Sequence, residues 1–206
     1  MTHRHLTLTP ALALALALAL AAASLLAACG RSTPDAAPAP VAFDKTLTSN
    51  GITFRVSAPN ASSVGPVSIV PSGLTVTNDT ITQEVDGTVV GAEIADLDVN
   101  GWPELYVFTR SAGSGSYGSV IGQAVNEGKS LSAIFLPDIT EDATLAEGYM
   151  GRDEFAVVEN SLVRRFPIYA AGDINAAPSG KTRQVKYTLA AGEAGWLLRT
   201  GDVSEY

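Results

Sequence analysis

The chain has 206 residues, of which 46% are hydrophobic, with 13 Lys and Arg against 21 Asp and Glu and a net charge of −8. This length allows one domain or two small ones. The acidic balance argues against nucleic acid as a main partner and against electrostatic docking on anionic lipid, because both draw on Lys/Arg clusters. Residues 1–28 read as a lipoprotein signal peptide. They run from a short basic start, Thr2-His3-Arg4-His5, through an Ala/Leu repeat to Leu26-Ala27-Ala28-Cys29. The last four resemble a bacterial lipobox, in which Cys29 would become the lipid-carrying first mature residue. Residues 29–41 follow as a lipid-anchored, disordered linker rich in Pro and small residues. The expected location is therefore the bacterial cell envelope. Gly30 in place of Asp after the cysteine favours the outer membrane, with the domain facing the periplasm.

Removing Arg4, the lone Lys or Arg of the signal, leaves 12 basic against 21 acidic residues, a net charge of −9. Both histidines, His3 and His5, lie in the signal, and the one cysteine is Cys29. Residues 30–206 therefore cannot form a Ser-His-Asp or Cys-His nucleophile system, a Cys/His zinc site or a disulfide. No cofactor is implied, and the expectation is a binding protein rather than an enzyme.

From residue 42 to 206 short β-branched and aromatic runs alternate with turn residues. Lys45–Ser49, Asn50-Gly51 and Ile52–Val56 predict a hairpin, since Asn-Gly readily supplies the positive φ angles of a two-residue turn. Ile81–Val85, Asp86-Gly87 and Thr88–Ile94 predict a second one. Further strands are expected at Val67–Val70, Glu104–Thr109, Gly118–Val125, Ser130–Leu136, Glu154–Val158, Leu162–Tyr169, Thr182–Leu189 and Trp196–Arg199. The one helical turn is expected near Ala143–Glu147. The fold class is all-β, an antiparallel β-sandwich or barrel of about eight or more strands. Asp153 and Glu154, and Arg164 and Arg165, read as charges around a sheet, with neighbouring side chains on opposite faces.

Two segments carry candidate function. Asp96-Leu97-Asp98-Val99-Asn100-Gly101-Trp102-Pro103-Glu104 places oxygen side chains at alternate positions with a Gly for the turn. Asp96, Asp98, Asn100 and Glu104 could wrap calcium, or the segment could be an acidic β-turn. Ser111-Ala112-Gly113-Ser114-Gly115-Ser116-Tyr117-Gly118-Ser119 joins two apolar strands. It is uncharged and small except for Tyr117. It could be a plain flexible hairpin loop, or a compact set of neutral donors able to enter a narrow cleft and bond to carboxylates without burying a charge of its own.

The run from Asp96 to Tyr117, centred on Ser114-Gly115-Ser116-Tyr117, resembles the periplasmic inhibitors of invertebrate-type (i-type) lysozymes. Gly151-Arg152-Asp153-Glu154-Phe155, Arg164-Arg165-Phe166-Pro167 and Ser179-Gly180-Lys181-Thr182-Arg183 extend that resemblance across roughly Ile52 to Leu198. It implies a β protein that inserts the loop into the active-site cleft of a lysozyme, the partner protein. Ser114 and Tyr117 would be the central contacts, flanked by Gly115. Ser111 or Ser116 could take the hydroxyl role instead, and a second loop at Thr182 and Arg183 would touch the cleft rim. A homodimer is left open. The alternative is a calcium-dependent or carbohydrate-binding envelope lipoprotein. The anchor has a direct test: Cys29→Ser should give an unacylated protein that no longer sediments with membranes, and membrane recovery equal to wild type would overturn the lipobox reading.

Overall fold

The computed structural model describes residues 42–193 and 195–206. The signal, Cys29 and the linker lie outside the described residues. Twelve strands and one short helix form among the described residues, so the chain is all-β as its patterning predicts. They assemble as two sheets of different kinds.

The first sheet is an antiparallel meander of β1 (Phe43–Ser49), β2 (Ile52–Ala58), β3 (Val64–Ser72) and β4 (Ile81–Asp86). Asn50 and Gly51 have φ angles of 49° and 80°, and Ser49 pairs with Ile52 across them. This is the expected two-residue turn, in which positive φ matches the twist of the flanking strands. Along β2, Ile52, Phe54, Val56 and Ala58 are buried while the residues between them are not. One face of the sheet therefore makes the core.

The second sheet contains β5 (Thr88–Ala95), β6 (Glu104–Arg110), β7 (Gly118–Asn126), β8 (Ser130–Phe135), β9 (Glu154–Val158), β10 (Ser161–Pro167), β11 (Thr182–Ala191) and β12 (Trp196–Glu205). In space the order is β5-β6-β7-β8-β12-β11-β10-β9. It is two antiparallel meanders joined by one short parallel pairing, Trp196 with Ile134 and Leu197 with Phe135. That pairing departs from the expected all-antiparallel sheet. It arises because the long connection after β8 starts the second meander at the far edge, and the last strand returns beside β8. The edge strands β5 and β9 then approach each other, and the Val157 N–H donates to Glu93 Oε2 at 2.7 Å. The result is a nearly closed barrel. The connection contains a 3₁₀ turn, Ile139–Glu141, and α1 (Ala143–Ala146), where a single turn was expected. Asp142 caps α1 by accepting the N–H groups of Thr144 and Leu145.

Asp86-Gly87 does not make the expected hairpin. β4 pairs only with β3, and β5 pairs only with β6, so Gly87 carries the chain from one sheet to the other. Its φ is 115°, and a Cβ placed there would stand 2.0 Å from the Arg110 carbonyl oxygen. The Asp-Gly pair signals a sharp reversal, but the partners of the two strands are fixed by side chains far away in sequence.

β6 is buried from Glu104 to Thr109, which suppresses the polar alternation of a half-exposed strand. Leu105 and Val107 face the first sheet and pack with Phe54, Val56, Val67 and Ile69. Tyr106 and Phe108 face into the barrel with Leu162, Phe166, Val185 and Tyr187. The molecule thus combines the two expected architectures, a sandwich built on one wall of a barrel. Each fully buried aliphatic or Phe side chain contributes roughly 1.5–3 kcal/mol. Gly87→Ala should destabilise the domain by about 2 kcal/mol or more, through a forbidden φ and a backbone clash. Gly113→Ala, where a Cβ meets nothing within 4 Å, should change stability by less than about 0.5 kcal/mol. Urea denaturation of the two variants checks both values.

Candidate functional site

The uncharged segment is the loop between β6 and β7, and its conformation is fixed by internal bonds. The Ser111 N–H donates to the Tyr117 carbonyl at 2.8 Å, and the Ser116 N–H to the Gly113 carbonyl at 2.9 Å. The Tyr117 N–H donates to Ser111 Oγ at 3.0 Å. Ser111 therefore closes the loop neck, whereas Ser114 stands exposed at the tip. Ser116 is half-buried and takes a left-handed φ of 47°.

A second segment, residues 149–153, holds the loop from beneath. The Arg152 N–H donates to the Gly115 carbonyl at 2.7 Å, and the Gly118 N–H donates to Asp153 Oδ2 at 2.8 Å. Gly115 and Gly151 let the backbones meet: a Cβ on Gly151 would lie 2.2 Å from the Gly115 oxygen, and one on Gly115 would lie 2.3 Å from the Tyr117 ring. The Tyr117 ring rests over these glycines with its edge against Tyr149, centroids 5.7 Å apart. It remains 49% exposed. Its rotamer is thus set by packing while much of its surface faces solvent.

Asp153 and Arg164 do not behave as the expected surface charges. Asp153 is 3% exposed and Arg164 is 5% exposed. The Arg164 Nε donates to Asp153 Oδ1 at 2.7 Å, and its Nη2 donates to the Tyr149 hydroxyl at 2.7 Å. That hydroxyl in turn donates to Asp153 Oδ2 at 2.7 Å. The guanidinium also lies 5.0 Å from the Tyr149 ring centre and 5.4 Å from that of Phe155, within cation–π range. Burial raises the Tyr149 phenol well above its ordinary pKa, so it stays a donor. The opposite-face expectation holds: Glu154 is exposed beside Asp153, and Arg165 is half-buried with its Nε on Gln184. Sequence reasoning missed Tyr149, Asp153 and Arg164 as supports of the loop because nothing local marks a charge as buried.

Beside the loop runs an open groove of about 720 Å³. Tyr117 and Ser119 line one side, Phe135 contributes from the end of β8 and Asp138 from the connection after it, and Tyr149 and Arg164 also line it. Phe135 is 60% exposed. The Thr140 N–H and hydroxyl, both donating to Asp138, hold that carboxyl below its usual range, so the groove has an acidic margin.

Thr182 and Arg183 part company. Thr182 opens β11, is half-buried, and shares a hollow with Arg152. Arg183 is turned inward rather than toward a cleft rim. Its guanidinium binds Glu205 Oε1 and the carbonyls of Thr144, Leu145 and Glu147 at 2.7–3.0 Å. It fastens the end of α1 to the barrel. The period-two pattern that places Val185, Tyr187 and Leu189 inside already puts Arg183 in the same phase.

The acidic segment lies at the other end of β6, one strand length away, roughly 20 Å. Asp96, Asp98 and Glu104 each bring a carboxylate oxygen within 4.8 Å of the others. Asn100 lies in the same turn. Its Nδ2 donates to Asp98 Oδ2, and its Oδ1 accepts from the Trp102 N–H. Asp96 accepts the N–H groups of Asn100 and Gly101. Glu104 is 1% exposed, and its Oε2 accepts the Leu97 N–H at 2.8 Å. Burial pushes the Glu104 carboxyl up to about 8, against the lowering effect of that N–H, with Asp98 and Asp96 adding to the rise. The Ser111–Ser119 loop and the acidic turn are therefore separate, at opposite ends of β6.

The chain matches no family model and no curated protein.

Asp153→Ala and Arg164→Ala should each cost about 3–5 kcal/mol, since either leaves its partner buried and unpaired. The double variant should cost clearly less than the sum of the two, because both remove the same interaction. Chemical denaturation of the three variants measures the coupling, and additive costs would contradict it.

Proposed function

We propose that the domain is a lysozyme inhibitor, acting on the invertebrate type, that inserts the Ser111–Ser119 loop into the enzyme's active-site cleft. The observation that carries this reading is a neutral loop whose backbone is tied to a rigid barrel and which still offers a half-exposed Tyr117 and an exposed Ser114. Lysozymes cleave sugar chains with two carboxyl groups facing the scissile bond. Hydroxyl and N–H donors answer those carboxylates without adding a charge that must be desolvated. Because the loop is ordered before it meets the enzyme, little entropy remains to be lost on binding. The groove beside Tyr117 supplies space for a lip of the cleft, and the net charge of −9 left once Arg4 is removed with the signal (12 basic against 21 acidic residues) attracts cationic lysozymes over long range. With Cys29 lipidated, the domain would stand in the outer-membrane envelope, where such enzymes reach the cell wall. No catalytic step is assigned to the domain. Ser114 and Tyr117 are the contact residues, Gly115 sets the Tyr117 rotamer, and Thr182 flanks the same side through Arg152.

Inhibition of cell-wall lysis by invertebrate-, goose- and chicken-type lysozymes tests the proposal. Tyr117→Ala should weaken inhibition by about thirtyfold or more, the usual result of truncating a buried aromatic anchor. Ser114→Ala should cost about 0.5–1.5 kcal/mol, or up to about 3 if its partner is an ionised carboxylate. Gly115→Ala should also weaken inhibition, since its Cβ would displace the Tyr117 ring. Neither Tyr117→Ala nor Ser114→Ala should shift the melting temperature much, because those side chains are exposed on the loop. Full inhibition by Tyr117→Ala of every responsive lysozyme would sink the loop-insertion mechanism.

A further inference from the structure

We infer that Asp96, Asp98 and Glu104 form a binding site for a hard divalent cation, calcium, at the end of β6 remote from the Ser111–Ser119 loop. Three carboxylates converge within 4.8 Å, and among the described residues none of them has a Lys or Arg partner. Their hydrogen bonds go to backbone N–H groups of the same turn and to the Asn100 amide. Each carboxylate oxygen still has lone-pair capacity after accepting one such bond. Glu104 is buried beside two more acids, and among the described residues no Lys or Arg pairs with any of the three; a bound divalent ion would favour their ionised forms.

A second observation is independent of the cluster. Tyr106 is fully buried, and its hydroxyl has no hydrogen-bond partner. Buried hydroxyls left unpaired cost about 1–3 kcal/mol and are rare. Tyr106 follows Glu104 by two residues on the inward face of β6, and the charges of Glu104 and Asp98 both act on its phenol. A water carried by the cation is a strong donor and would satisfy that oxygen. The ligand type selects the ion: carboxylate oxygens on a turn, with neither His nor Cys available, suit calcium rather than zinc or copper. Magnesium is less suited because it demands near-ideal octahedral geometry and sheds water reluctantly.

The test uses the purified full-length protein, stripped with a chelator and then titrated with calcium chloride. Calorimetry should show one saturable site per chain. A hundredfold excess of calcium over Kd should raise the melting temperature by about 5–10 °C. Terbium, a calcium stand-in, should show luminescence sensitised by Tyr106 and Trp102, which calcium displaces. Asp98→Asn, which lies in the outer turn and is expected to fold, should weaken calcium binding at least tenfold. Glu104→Gln should do the same, and Tyr106→Phe should weaken it severalfold. No saturable calcium binding up to about 10 mM, above the range of weak extracellular sites, would overturn the inference. So would unchanged affinity in both Asp98→Asn and Glu104→Gln.

Discussion

The Asp153 carboxylate meets the Arg164 guanidinium inside the wall of the barrel, and three parts of the chain depend on that contact. One oxygen takes the Arg164 Nε, and the other takes the Tyr149 hydroxyl and the Gly118 N–H. Arg164 belongs to β10, Tyr149 to the connection after β8, and Gly118 to the first residue of β7. A single buried acid therefore joins the second meander, the crossover and the exit of the exposed loop. Burying two charges is costly, and such pairs add less net stability than their short distances suggest. Here the charges are matched by a Tyr hydroxyl, a backbone N–H and three aromatic rings around the guanidinium. An apolar replacement could fill the same volume but could not accept the Gly118 N–H. The pair is best understood as fixing geometry.

That geometry is passed on through β6 and β7. With both faces of β6 buried, that strand cannot tilt without disturbing the sandwich on one side and the barrel interior on the other. Its two ends are the places where the backbone leaves the sheet, and the two candidate sites occur there. The Ser111–Ser119 end is neutral, projecting and held from below by glycine contacts. The Asp96–Glu104 end is acidic and tucked over the barrel, with Leu97 buried among the interior side chains. The first sheet also reaches this end, since Asn50 Nδ2 donates to the Gly101 carbonyl at 2.8 Å. The proposed partner protein and the proposed ion would thus meet opposite ends of one buried strand.

The parallel seam between β8 and β12 is the less secured part of the barrel. Only two residue pairs cross it, whereas the antiparallel neighbours pair along most of their length. Phe135 lies in the seam and is largely exposed beside the groove. Trp196, at the start of β12, reaches across to Asn126 at 3.3 Å. The short pairing follows from chain path: β12 has already been committed to β11 over ten residues, and β8 ends where the connection turns away to build the second meander.

Much was legible in the sequence because it depends on neighbours along the chain. Asn50-Gly51 dictates its hairpin, since two consecutive residues must adopt positive φ. The alternation in Ile52–Ala58 and in Val185–Leu189 fixes which side of each strand is apolar, and the strand positions follow from it. The absence of His beyond residue 5 and of Cys beyond residue 29 removed whole classes of chemistry before any fold was known. Tertiary structure decided the rest. Asp86-Gly87 looks like another hairpin, yet it crosses between sheets because β4 and β5 find better partners in β3 and β6. Asp153 and Arg164 look like surface charges, yet they are buried against each other across 11 positions of sequence. Arg183 looks like a rim contact, yet it closes the end of a helix formed almost forty residues earlier. Backbone torsion and side-chain period are local properties that a few adjacent residues determine. Sheet partners and the pairing of buried charges are set by free energy shared between distant segments, which no single segment encodes.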